Sequence, residues 1–408
     1  MMAVVAAGCG NAANDSTAEV TVPPSSSPAA QSPVPRTAEP ALEPAGINEQ
    51  LDRMTVEDKI GQMVVIGLEG TSLKAKTRSM LDKYKIGGFI LYKRNIDSAE
   101  QTLKLLNELK AANGSDIPLW LGVDEEGGKV SRLPKEFVKL PAPRDVGKTG
   151  NTEYAAGIGS AIGTALAALG FNMDFAPVLD IDSNPDNPVI GNRSFGRTPE
   201  TVSEIGVAAM QGLQSQDVVA VVKHFPGHGD TSVDSHLDLP VEDRTIDELH
   251  SFELLPFKAA IENGADAIMV AHILLPQIDS RQPASLSNAI INRLLREDLG
   301  FDGVVMTDDM TMGGITKHRD IGEAAVEAVL AGNDILLVGH KEKLQTAVLD
   351  ALRESVEDGT ITEERLNQSV RRILELKAKY ELEDSAEADP HVELVNKTIQ
   401  EALDKGKQ

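Results

Sequence analysis

Three features of the 408-residue sequence predict an α/β fold, a (β/α)8 TIM barrel preceded by a disordered tether. Short apolar runs of strand length alternate with amphipathic stretches of helix length from about residue 47 to 380. Runs such as Val218-Val219-Ala220-Val221-Val222 are apolar on both faces, as parallel strands covered by helices outside and by core inside require. Polar residues gather at the C-terminal ends of these runs, where barrels of this kind place their chemistry. A doubly wound sheet is the alternative, but no G-x-G-x-x-G follows the first run.

The expected strands, in order, are Met63–Leu68, Gly88–Tyr92, Pro118–Val123, Phe171–Pro177, Val218–His224, Ala267–His272, Gly303–Asp308 and Asp334–Val338. Helical periodicity marks Ala99–Lys110, Ala155–Leu169, Val202–Leu213, Asp247–Glu262, Ala289–Leu299 and Gly322–Leu330, and a final helix, Glu363–Lys379, is expected to close the barrel. The barrel domain is therefore set at 47–383, with 384–408 an acidic extension expected to be loosely held. Before it, residues 10–46 carry Pro23, Pro24, Pro28, Pro33, Pro35, Pro40 and Pro44 among Ser, Thr and Ala without apolar periodicity, and read as a disordered tether.

Composition narrows the partners. A formal charge of −24, from 39 Lys+Arg against 63 Asp+Glu, disfavours nucleic acid or an anionic membrane surface and leaves a neutral substrate easier to accept. No apolar run reaches the ~18 residues of a membrane span. The lone cysteine, Cys9, excludes an intrachain disulfide. Residues 1–9 resemble a bacterial lipoprotein signal, in which small residues (here Val5-Ala6-Ala7-Gly8) precede a cysteine that is cleaved and acylated. The resemblance implies an extracytoplasmic enzyme held to the membrane only through lipid on Cys9. A charged n-region is absent and the apolar part is short.

Four segments carry candidate chemistry. Residues 223–236 pack Lys223, His224, His228, Asp230, Asp234 and His236 into a Gly- and Pro-containing loop. They suit acid–base chemistry on an organic substrate, a metal site, or histidines that merely satisfy loop backbone. Against metal, neither H-x-H nor H-E-x-x-H is present and Lys223 would repel a cation. In an extended segment Asp234 and His236 would share a face, and a carboxylate beside an imidazole favours the protonated form a general acid needs. The run Val304–Met306 delivers Asp308 and Asp309, of which alternation lets only one face the pocket without saying which. The segment Asp124-Glu125-Glu126-Gly127-Gly128-Lys129-Val130-Ser131-Arg132 reads equally as a tight turn or a binding loop. Arg193, in Gly191-Asn192-Arg193-Ser194-Phe195-Gly196, is by itself a surface ion pair or a donor for hydroxyl and amide oxygens.

Together these segments resemble the β-N-acetylglucosaminidases of glycoside hydrolase family 3. The D-x-E-G-G-x-V-x-R, K-H-F-P-G-H-G, D-S-H and T-D-D-M motifs stand in the family's order at Asp124–Arg132, Lys223–Gly229, Asp234–His236 and Thr307–Met310. The resemblance covers about residues 47–380. It implies that Asp308 is the nucleophile, that His236 is the acid/base catalyst oriented by Asp234, and that Asp124, Arg132, Arg193, Lys223 and His224 hold the sugar. It also implies a retaining, cofactor-free and metal-free hydrolysis of terminal β-linked N-acetylglucosamine by a monomer, with cell-wall fragments as the carbohydrate substrate. Three rivals remain: a glycoside phosphorylase on the same scaffold, a metal-dependent barrel hydrolase, and a non-catalytic wall-binding lipoprotein.

Overall fold

A computed structural model describes residues 44–231 and 233–406. Cys9, the signal-like segment and most of the tether lie outside the described residues. Eight parallel strands make one sheet: β1 (Val64–Gly67), β2 (Gly88–Leu91), β3 (Trp120–Val123), β4 (Met173–Asp174), β5 (Val219–Phe225), β6 (Ala267–Val270), β7 (Val304–Thr307) and β8 (Leu336–Val338). They neighbour one another in the order β8-β1-β2-β3-β4-β5-β6-β7. A parallel bridge between Met306 and Ile335 joins β7 to β8, so the sheet closes on itself as the sequence predicts. Every residue of these eight strands is buried, because side chains fill the barrel inside and helices cover it outside.

Element boundaries depart from the expectation in instructive places. The run Phe171–Pro177 forms a ladder only at Met173 and Asp174, and beyond a cis Ala176–Pro177 bond the chain meets β5 again in a parallel bridge between Val178 and Lys223. The periodic stretch Asp247–Glu262 is two helices, Ile246–Ser251 and Leu255–Glu262, broken at Phe252. Pro256 lies in the first turn of the second, where its missing N–H costs nothing. Ala289–Asp298 winds as a π-helix. Helices Ala75–Tyr84 and Glu342–Glu357, which periodicity did not single out, follow β1 and β8.

Helix Glu363–Lys379 crosses the floor of the barrel. Its buried Lys377 Nζ donates to Gln62 Oε1 (2.7 Å), Gly87 O (3.3 Å) and Pro118 O (2.6 Å), groups at the N-terminal ends of β1, β2 and β3. The C-terminal extension is not loosely held. Helix Val392–Lys405 buries Val395, Ile399 and Ala402, and packs on helix Thr152–Leu169. Asn396 fixes it further, accepting from the Val138 N–H (2.7 Å) and donating to Glu136 O (2.8 Å). The acidic composition concealed an apolar stripe at positions 395, 399 and 402, one helix face.

Candidate active site

The C-terminal mouth of the barrel holds a cavity of about 450 Å³ lined by Asp124, Arg132, Arg193, Lys223, His224, His236 and Asp308 among others. Seven of the eight catalytic and sugar-holding residues that the resemblance implies therefore line one cavity. Asp234 is outside the lining and supports His236 from behind.

The side of the cavity nearest β3 and β5 is an ionic network centred on Glu126. Arg193 grips this carboxylate with two hydrogen bonds, Nε to Oε2 (2.8 Å) and Nη2 to Oε1 (2.6 Å). Lys223 Nζ lies 2.8 Å from the same Oε1 and donates to Asp124 Oδ1 at 2.7 Å. Burial alone would push the Glu126 carboxyl up, but Lys223 and Arg193 hold it far below the carboxylate range. Arg193 is thus no surface ion pair: its partner is fully inside, and the pair pins a polar wall against the cavity. Lys223 and His224 are joined by a cis peptide bond, and both side chains line the cavity although neighbours on a strand ordinarily face opposite ways.

Gly127 and Gly128 have φ of +81° and +59°, backbone that a side chain resists. They make the tight turn that brings the chain back to Arg132. Glu125, buried beneath the turn, accepts from Ser131 Oγ (2.9 Å) and from the N–H groups of Arg132 (2.6 Å) and Leu133 (3.0 Å). The tight-turn reading of this segment holds, and the turn brings both Asp124 and Arg132 to the cavity.

Histidines 224 and 228 share Asp180. His224 Nδ1 meets Asp180 Oδ2 at 2.6 Å, and the His228 N–H donates to Asp180 Oδ1 at 2.7 Å. The second nitrogen of His224 faces Arg193, while the His228 ring is spent on Thr231 Oγ1 (2.7 Å) and Ser235 Oγ (3.1 Å). These rings are committed to hydrogen bonds, and among the described residues no group of acidic, histidine or cysteine side chains has the arrangement of a metal site.

Asp234 and His236 do meet, but not across an extended segment. Residues 234–238 form a turn in which Asp234 O accepts from the N–H groups of Leu237 and Asp238. Asp234 Oδ1 accepts from both the His236 N–H (2.9 Å) and its ring Nδ1 (3.0 Å). Nδ1 is thereby occupied, and Nε2 remains as the nitrogen that can exchange a proton with a substrate.

The two aspartates after β7 divide sharply. Asp309 Oδ2 accepts from Tyr92 Oη (2.9 Å) and His340 Nδ1 (3.2 Å), and Oδ1 from Gly339 N (3.0 Å), Thr311 N (2.9 Å) and Thr311 Oγ1 (2.8 Å). Both aspartates border the cavity, contrary to strict alternation, because the strand ends at Thr307. Of the two, Asp308 presents the carboxylate not consumed by such a cage; among the described residues its carboxylate accepts one hydrogen bond, from the next N–H at 2.7 Å. Burial raises it, but His272, His224, that N–H and His236 together keep it below its ordinary value, hence ionised.

The family model described as the glycosyl hydrolase family 3 N terminal domain matches residues 55–376. The chain belongs to this family. Its relatives include a β-hexosaminidase of Idiomarina loihiensis, 36% identical over 76% of this chain and 92% of that protein. Another is β-hexosaminidase A of Pseudoalteromonas piscicida, 35% identical over 76% of this chain but only 56% of the longer relative. Among solved structures, a family 3 β-N-acetylglucosaminidase from Paenibacillus sp. str. FPU-7 superposes with a TM-score of 0.82 at 41% identity, covering 86% of this chain and 69% of that one. Sequence reasoning left Glu126, Asp180, Tyr92 and His340 unassigned. Glu126 stood inside a quoted motif, whereas Tyr92 and His340 carry no local signal, being 217 and 31 positions from the Asp309 they hold.

Proposed function

We propose that this family 3 glycosidase is a retaining β-N-acetylhexosaminidase acting through Asp308 and His236. The observation that carries the reading is the division of labour after β7: Asp309 is locked into five hydrogen bonds while Asp308 stays ionised and open to the cavity. Asp308 attacks the anomeric carbon to form a glycosyl-aspartate ester. As the bond to the leaving oxygen breaks, His236 delivers a proton to it from Nε2, then takes one from the water that cleaves the ester. Asp234 orients the ring, and Asp124, Arg132, Arg193, Lys223 and His224 hold the sugar hydroxyl and amide groups. A monomer is the proposed catalytic unit.

Terminal N-acetylglucosamine of cell-wall fragments is the proposed natural substrate, taken by an extracytoplasmic enzyme anchored through acylated Cys9. The small-residue stretch before that cysteine and the proline-rich segment after it support this placement. Turnover of an aryl β-N-acetylglucosaminide well above that of the matching glucoside, with release of the β anomer and labelling of Asp308 by a fluorinated-sugar inactivator, is the expected result. Labelling of Asp309 or an α anomer would refute the mechanism. Sugar 1-phosphate formed in phosphate buffer would make the enzyme a phosphorylase instead. Membrane partition lost in Cys9→Ser tests the anchor.

A further inference from the structure

Behind the two aspartates, outside the lining of the sugar cavity, stands a histidine to which the mechanism above gives no role. His272 follows β6 and is fully buried. Its Nε2 lies 3.1 Å from the carbonyl oxygen of Asp309, and its Nδ1 lies 2.7 Å from Ser285 Oγ. A carbonyl oxygen can only accept, so Nε2 carries a proton, and Nδ1 of the uncharged ring accepts from the Ser285 hydroxyl. Burial pushes the ring below the ordinary histidine range, against the pull of Asp308 and Asp309. It is therefore uncharged at neutral pH and gains the charge that favours an ionised Asp308 only in the acid range.

Both partners of the ring are themselves held. Residues Leu274–Leu275 and Asp279–Pro283 pair antiparallel and return the chain, so that the Ser285 N–H donates to Ala271 O at 3.1 Å. Ser285 O in turn accepts from Asn333 Nδ2 at 2.8 Å. On the other side, Asp309 O also accepts from the Met312 N–H at 2.9 Å. The N–H of the same Asp309 makes the one hydrogen bond that the Asp308 carboxylate accepts among the described residues. The cage around Asp309 fixes its side chain, whereas its backbone, which carries that N–H, is fixed by what holds its carbonyl.

We propose that His272 is a positioning residue for the nucleophile: its Nε2–H, kept in place by Ser285, holds the Asp309 carbonyl and through that residue the N–H that aims Asp308 at the sugar. The inference rests on Asp308 being the nucleophile, as in the glycosidase reading above, and adds what orients it.

The limiting rate at which a fluorinated-sugar inactivator labels Asp308 reads the attack itself, apart from binding. A misplaced reacting group can cost about 10²-fold, so His272→Met should slow this rate by roughly that factor with the inactivator's affinity little changed. His272→Gln, whose amide can donate to Asp309 O and accept from Ser285, should restore most of the rate, and Ser285→Ala should show a smaller loss than His272→Met. A limiting rate unchanged in both His272→Met and Ser285→Ala overturns the proposal. So does a loss confined to affinity or melting temperature, which is all that a merely structural histidine would move. Should His272→Met fail to fold, Ser285→Ala and the imidazole ¹⁵N NMR spectrum of the wild type still decide. The wild-type His272 ring should carry its proton on Nε2 at neutral pH, and a proton on Nδ1 alone overturns the proposal. Wild-type label on Asp309, or no label at all, would bring down the glycosidase reading and the positioning role with it. Label on Asp308 at an equal rate in wild type and variants rejects the role of His272 alone.

Discussion

At the scale of single residues, adjacent aspartates have opposite duties because their surroundings differ. Asp309→Ala would strand the donors of Tyr92, Thr311 and Gly339, and each buried donor left unpaired costs about 1–3 kcal/mol. We expect a clear loss of stability, on the order of 3 kcal/mol in denaturant titration, with inactivator labelling of Asp308 retained. Asp308→Ala should do the reverse, folding normally with turnover nearly abolished. A Cβ at Gly339 would collide with the Tyr92 hydroxyl and the Asp309 carboxylate, so this cage leaves room only for glycine. For His236, general acid catalysis is worth about 10²–10⁴ in rate. His236→Ala should lose that factor on a disaccharide with a poor leaving group and far less on an activated aryl glycoside. Equal losses in kcat/KM on both would reduce the histidine to a loop support.

Elements position these residues by holding loops rather than by presenting them directly. The segment that carries His236 is tied down along its length: Asn187 Nδ2 donates to His228 O (2.9 Å) and Gly229 O (3.1 Å), and Arg244 Nη2 to Asp230 Oδ2 (2.8 Å). The N–H groups of Gly313 and Gly314 reach His236 O (3.2 Å) and Ser235 O (3.0 Å). The loop that carries His236 and the segment following Asp308 are thus bonded to each other. The C-terminal helix is a second case. Deleting 391–408 would uncover Val395, Ile399 and Ala402 and the face of helix Thr152–Leu169 beneath them. At about 25 cal/mol per Å² of apolar surface, with roughly 1.5–3 kcal/mol for each large side chain, the truncated protein should lose about 3 kcal/mol and unfold several degrees lower. An unchanged melting temperature would restore the view of a loosely attached tail.

Across the whole molecule, the barrel separates chemistry at its mouth from stability at its floor. The floor contains two buried charge clusters: Lys377, and Asp334 held by Arg296 at 2.6 Å and Arg372 at 3.3 Å. Burial pushes the Lys377 ammonium down from 10.5 to about 7. Between those two values the unfolded chain holds the proton more tightly than the folded one, so stability contributed at this site rises with pH across that window. Below the lower value both states are charged and the full burial cost remains. Lys377→Met removes the titration, and its melting temperature relative to wild type should therefore decline between pH 7 and 10. A difference that stays flat with pH would mean that the three oxygen acceptors keep the ammonium charged throughout.

Much of this was legible in the chain alone, for reasons of period and spacing. Eight apolar runs gave the number of barrel strands, and chemistry-bearing residues at the C-terminal ends of the third to seventh runs located the mouth. Local sequence also held the D-E-E-G-G turn, because two glycines at positive φ mark it. What sequence could not decide were relations between residues distant in the chain. Alternation along a strand could not choose between Asp308 and Asp309, since the choice is made by Tyr92, Gly339 and His340 arriving from β2 and β8. It likewise could not reveal that Arg193 reaches back 67 positions to Glu126. The acidic tail looked expendable by composition and is anchored by three buried side chains. Charge and periodicity along a chain report what each segment can bury. Which carboxylate is caged and which left open depends on where barrel closure brings the partners of each.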